Sequence, residues 1–195
     1  MSFIFRKIDT DLLENTRQTW TAILEEQEEH FSPSGYHHFL DSANARLCNA
    51  DKYPYSHCFA VIPERDASAV ALFELTQAYR GREDSWLKVL AMRTSPLYDY
   101  RTPETVGNSF MDRSRSVAKV LTKGLTEIVA LSETDDYRAH TVKIFGNKQV
   151  DMDFFTIFAD KMRDIHKNLG AGSFRFEKIG NWLEIRKNGG ATISF

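Results

Sequence analysis

The chain has 195 residues, 42% of them hydrophobic, and carries 27 acidic and 25 basic side chains for a formal net charge of −2. That length suits a single domain, residues 1–195, able to bury a core without metal or disulfide support. The mixed, near-neutral charge excludes a general attraction to nucleic acid or to an anionic membrane surface. The longest apolar runs fall well short of the roughly 20 residues a membrane span needs. The start, Met1-Ser2-Phe3-Ile4-Phe5-Arg6-Lys7, has no apolar h-region, so no secretory leader is expected. Cys48 and Cys58 have no metal spacing and are read as free thiols of a soluble protein in a reducing cytoplasm.

Phe3, Phe5 and Ile8 mark a short first strand. Asp9-Thr10-Asp11 then offers N-cap side chains. Leu12, Leu13, Thr16, Trp20, Ile23, Leu24 and Gln27 recur at helical spacing, and Glu25-Glu26-Gln27-Glu28-Glu29 reads as the solvated end of that helix. Ser32-Pro33-Ser34-Gly35 breaks it. A shorter helix follows, with Tyr36, Phe39, Leu40, Ala43 and Leu47 on one face. Residues 58–62 and 69–75 read as two strands around a polar connection of hairpin length.

A third strand of this group, residues 86–93, stops at Thr94-Ser95-Pro96 and leads into a long polar loop, residues 97–112. Val117, Val120, Leu121, Gly124, Leu125 and Ile128 predict a helix, capped by Ser114 or Ser116. Residues 141–145 predict a strand closed by Gly146-Asn147. A strong helix is expected over about 151–169, ended by Gly170-Ala171-Gly172. Two final strands, 174–178 and 182–186, join around Gly180-Asn181 as a hairpin. No internal repeat appears.

The order strand, two helices, three strands, helix, strand, helix, two strands resembles the Gcn5-related N-acetyltransferase (GNAT) superfamily over almost the whole chain. Thr94-Ser95-Pro96 stands where the family's fourth strand has a V-x-P step, with Thr94 in the place of the valine. The resemblance implies an α/β (α+β) fold, a mixed and mostly antiparallel sheet flanked by about four helices. In the family that strand splays from its neighbour and its backbone pairs with the pantetheine arm of acyl-coenzyme A, as an added strand would. The resemblance therefore implies acetyl-CoA or another acyl-CoA as substrate, with Met92, Arg93 and Thr94 along it.

The sequence departs from the family pattern at two places. The loop after the strand, "YRTPETVGNSFMDRSRS", has Gly107 alone instead of a glycine-rich pyrophosphate motif, with Arg113, Ser114, Arg115 and Ser116 expected at the helix start. Two arginines and two hydroxyls there suit phosphate by charge-assisted hydrogen bonds. The tyrosine acid usual in the helix after the fifth strand is replaced, since the aligned position falls on or beside Phe154 and Phe155. Tyr98 and Tyr100 are the alternative proton donors. Glu74 is the candidate base, because a carboxylate fits proton removal from an amine, directly or through water; the alternation of Phe73, Glu74 and Leu75 equally allows it to face solvent.

Adjacent His37 and His38 point about 100° apart on a helix and make a poor chelate, so no metal is expected from them or from His57 and Cys58. The cluster Phe154, Phe155, Phe158 reads as core. The expected function is N-acyl transfer to a small-molecule or protein amine. The alternatives are a non-catalytic GNAT-fold binding protein and a relative using an acyl carrier protein, docked by Arg113, Arg115, Lys119 and Lys123.

Overall fold

The computed structural model describes residues 2–26, 34–80, 82–98, 108–146, 149–168 and 174–187. The elements run β1 (Phe3–Lys7), α1 (Thr10–Glu26), α2 (Ser34–Cys48), β2 (Ser56–Pro63), β3 (Ala71–Ala78), β4 (Trp86–Thr94), α3 (Asn108–Leu131), β5 (Thr141–Phe145), α4 (Gln149–Asn168), β6 (Phe174–Ile179) and β7 (Trp182–Lys187). The strands order as β1-β2-β3-β4-β5-β7-β6. The pairs β1–β2, β2–β3, β5–β7 and β6–β7 are antiparallel, and β4–β5 is parallel. Among the described residues this is the mixed, mostly antiparallel sheet with four helices that the GNAT resemblance implies. No helix among the described residues is long and apolar enough to cross a membrane.

The chain divides into two compact units, Met1–Thr76 with Ala91–Glu127, and Gln77–Leu90 with Ile128–Phe195. In the first unit α1 is capped as its sequence requires: Leu12 N donates to Asp9 Oδ1 at 2.8 Å. Its buried stripe is Leu12, Leu13, Thr16, Trp20 and Leu24. Two of these side chains reach the β2–β3 connection. Ala69 N donates to Thr16 Oγ1 at 2.9 Å, and Trp20 Nε1 donates to Ala69 O at 2.8 Å. Both backbone groups of a buried loop residue are thus satisfied by one helix, as burial demands.

From α2, Tyr36 meets Trp20 edge-on at 5.9 Å, and Phe39, Leu40 and Ala43 are buried in the same cluster as Cys58, Ala60, Ile62 and Leu72. The neighbouring β2 and β3 positions build a second apolar layer. Phe5 stacks on Phe59 at 5.1 Å and meets Phe73 edge-on at 6.3 Å, and Gly124 of α3 lies against the tip of the Phe73 ring, where a Cβ would overlap it.

In the second unit β5 pairs with both β4 and β7, Ile144 standing opposite Val89 and Leu183. Phe155, Phe158, Ala159 and Met162 of α4 are buried, while Phe154 is only half-buried. The β6–β7 turn needs φ near 57° at Gly180, a conformation L side chains rarely adopt.

One boundary corrects the sequence reading. α3 begins at Asn108, so residues 108–112 are not loop, and Arg113, Ser114, Arg115 and Ser116 do not stand at the helix start, nor does Ser114 or Ser116 cap it. Gly107 is the last glycine before the apolar stripe, no proline follows it, and asparagine is a favoured residue at a helix start, so nothing stops the helix from beginning there.

Candidate active site

β4 carries the step that the sequence singles out. Its parallel ladder with β5 runs from Trp86↔Thr141 to Val89↔Ile144, and β5 ends at Phe145. β4 continues five residues past Val89, to Thr94. Ser95 then ends the strand. Its N–H donates to Val70 O at 2.9 Å, its carbonyl accepts from Tyr98 N at 2.9 Å, and its side chain is buried. The proline that follows has no N–H to extend a ladder. The apolar run therefore stops because Ser95 is tied to the β2–β3 connection and Pro96 turns the chain.

Met92, Arg93 and Thr94 are all partly exposed along this last stretch. The Arg93 guanidinium lies 4.8 Å from the Tyr36 ring centroid, and a Cβ on Gly35 would sit 3.1 Å from its Nη2. Its side chain is thus turned toward the start of α2, where glycine leaves it room. Tyr98 is half-buried, and burial, with Asp66 adding, raises its hydroxyl pKa above the ordinary value of 10. Tyr100 lies outside the described residues. Arg115 is exposed and Ser116 partly so, both in α3. Arg113 and Ser114 belong to α3 by backbone, and their side chains lie outside the described set.

Glu74 is not on a solvent face. It is 8% exposed and ion-paired with Arg46 of α2. Burial raises its pKa, opposed by the charges of Arg46 and His38. Its register partner is Cys58, whose thiol burial pushes up to about 12, with Glu74 adding to the shift. Arg46 also donates from Nη1 to Ser42 O at 3.0 Å, one helical turn back. The sequence reading missed Arg46. The available signal was Glu74 itself, since a carboxylate inside an apolar strand requires a cation or a proton.

The structure therefore places Glu74, Met92, Arg93, Thr94, Tyr98, Arg115 and Ser116 in one compact unit. Glu74 is ion-paired with Arg46, while the raised pKa of Tyr98 comes from burial with the Asp66 charge adding. Phe154 packs at 6.0 Å against Phe155. Among the described residues no group of three His, Cys, Asp or Glu side chains could hold a metal ion.

No protein-family model matches the sequence, and no curated protein matches it. Several solved structures are similar in fold. A probable acetyltransferase from Staphylococcus epidermidis is 14% identical at a TM-score of 0.47, covering 96% of this chain and 100% of its own. The ribosomal-protein-S5-alanine acetyltransferase from Vibrio fischeri is 9% identical at 0.46, covering 95% and 92%. The PaiA N-acetyltransferase from Thermoplasma acidophilum, solved with coenzyme A, is 13% identical at 0.36, covering 97% and 100%.

Proposed function

We propose that the chain is an acyl-CoA-dependent N-acyltransferase of the GNAT type, with a small-molecule or protein amine as acceptor. The observation that carries this reading is β4, which runs on to Thr94 after its ladder with β5 has ended at Val89. The backbone of residues 90–94 is the stretch on which an amide-rich pantetheine arm would pair as an added strand. The start of α3 at Asn108 supports the other end of the ligand. The first N–H groups of a helix have no partner within it, and they suit a pyrophosphate. Arg113, Ser114, Arg115 and Ser116 follow in the next turn and would add charge and hydroxyls.

On this reading the amine nitrogen attacks the thioester carbonyl carbon. A C–N bond forms and the C–S bond breaks. Glu74 is assigned the proton leaving the amine, and burial favours its protonated form. Tyr98, with Tyr100, is assigned the proton for the departing thiolate. A phenol whose pKa is raised above 10 keeps its proton at neutral pH and so has one to give.

The test is acetyl-CoA binding by calorimetry and thermal unfolding, followed by thioester consumption with a panel of amines. Ligand at a hundred times its Kd stabilises the native state by about 2.7 kcal/mol. Replacing Arg113 and Arg115 together by Ala is expected to weaken binding by about 1.5–3 kcal/mol per lost charged hydrogen bond. Binding with no turnover on any amine would leave a coenzyme-binding scaffold without catalysis. No binding at millimolar acetyl-CoA overturns the enzyme reading and leaves an interaction module.

A further inference from the structure

β4, β5, β7 and β6 are neighbours in the sheet, and within the second compact unit, which takes β4 as far as Leu90, they have two unlike faces. Successive residues of a strand point to opposite sides. Leu87, Val89, Val142, Ile144, Leu183 and Ile185 share one side and are buried. The other side is partly or fully exposed, Glu184 excepted. The strand registers arrange it as three rows, read from β4 to β6. The first is Trp86, Thr141, Arg186 and Arg175. The second is Lys88, Lys143, Glu184 and Glu177. The third is Phe145, Trp182 and Ile179, headed by Leu90 one residue past the β4–β5 ladder. Contacts join the rows. Lys88 Nζ lies 4.0 Å from the Trp86 ring centroid and 5.5 Å from that of Trp182, and the Trp182 and Phe145 rings are 5.0 Å apart. A sheet face turned to water is ordinarily polar. This one carries both indoles, Phe145, and the exposed Leu90 and Ile179.

The middle row runs from positive at β4 and β5 to negative at β7 and β6. Within the chain Glu184 is held by Lys143 and Arg186, and Glu177 by Arg175. Among the described residues no carboxylate pairs with Lys88, which has only the two indole rings. We propose that this face joins two copies of the chain about a twofold axis lying between the two sheets, parallel to the strands and between β5 and β7. A twofold contact must be complementary to itself. This axis sets β4 over β6 of the second copy and β5 over β7. Lys88 then faces Glu177 of the second copy, and Lys143 faces its Glu184. Leu90 meets Ile179, Phe145 meets Trp182, and the Trp86 ring meets the Arg175 guanidinium as a cation–π pair. A twofold axis running across the strands would instead set Lys88 on Lys88 and Glu177 on Glu177, so charge selects the first axis. Stacked sheets lie about 10 Å apart, a gap that these aromatic and long charged side chains fill. The ion pairs set register and choice of partner, and the apolar row supplies the affinity. Strand spacing and rise give the patch a footprint of about 300 Å² a side. A standard interface buries about 800 Å² per partner, so this dimer is weak and exchanging. The inference does not rest on the acyltransfer reading.

The experiment is sedimentation velocity on the full chain across a concentration series reaching about 1 mM, where a dimer with a Kd of about 10–500 µM is expected. Lys88→Glu and Glu177→Lys are each expected to weaken it by about a hundredfold or more, because a twofold contact brings the like charges together twice. Neither side chain is in the buried core, so both variants should keep the circular dichroism of the wild type. The two variants mixed in equal amounts are expected to associate again, since β4 of each then meets the opposite charge on β6 of the other. That recovery requires β4 to lie over β6, and it also shows that both variants are folded. A wild type that stays monomeric at 1 mM, a dimer unmoved by either charge reversal, or a mixture that stays monomeric each overturns the proposal.

Discussion

Gly124→Ala tests the packing that holds α3 on the sheet. In an ordinary helix interior this change adds about 1 kcal/mol of stability, because glycine is the poorer helix former. At position 124 the added Cβ would overlap Cζ and Cε2 of Phe73 and stand 3.0 Å from Cε1. Those atoms belong to a ring on β3 that is fully buried, so it has no solvent to move into. Phe73 is also held by the edge of Phe5. Overpacking of this kind costs about 1–3 kcal/mol, and three ring atoms at one site argue for the upper half of that range. The net expectation is a loss of about 1–2 kcal/mol, read by urea unfolding as a lower midpoint at unchanged slope. Phe73→Leu in the same background should recover part of the loss, because the shorter side chain vacates the overlap; a double-mutant cycle isolates that coupling. A Gly124→Ala protein more stable than wild type by the propensity gain would show that α3 does not rest on Phe73.

Two further predictions concern buried charge. Arg46→Met leaves Glu74 without its cation and is expected to cost about 3 kcal/mol in chemical denaturation, most of it recovered by adding Glu74→Gln; a neutral Arg46→Met would show that the pair does not hold α2 to β3. Glu184 is pushed up by burial, but hydrogen bonds from Lys143 at 2.7 Å and from Arg186, with their charges, outweigh this and hold its pKa below 4.5. The unfolded chain then binds the proton more readily than the native one, so the contribution of Glu184 is present above about pH 4.5 and fades as pH falls through its lowered native value. Glu184→Gln should therefore be destabilising at pH 7, with the gap to wild type closing in acid; a gap independent of pH would refute the assignment.

Local signals made most of the fold legible. The α1 cap at Asp9, the stripe of Leu12, Leu13, Thr16, Trp20 and Leu24, and the Gly180-Asn181 hairpin all depend on neighbours within a few residues. The start of α3 was less legible because Gly107 and the polar residues around it resemble a loop over the same window in which the helix begins. No periodicity marks a polar side chain that serves a distant backbone. Thr16 and Trp20 look like ordinary members of an apolar face, yet they satisfy Ala69, 53 and 49 residues away.

The end of β4 was legible in the sequence, and the charge pairing of Glu74 was not. Thr94-Ser95-Pro96 marks where β4 ends, and the structure supplies the reason in the Ser95 backbone. Glu74, by contrast, has two physically opposite readings until its partner is known. On a solvent face it would be an ordinary carboxylate, and alone in the core it would be protonated. Paired with Arg46 it lies between these limits, with burial raising its pKa and the guanidinium lowering it. That partner is 28 residues away on a helix whose apolar face can be read from its spacing, while the flank that carries Arg46 cannot. If Glu74 serves as a base, its proton affinity is set by how firmly Arg46 holds it. Arg46 is itself anchored through Ser42, to whose carbonyl its Nη1 donates at 3.0 Å.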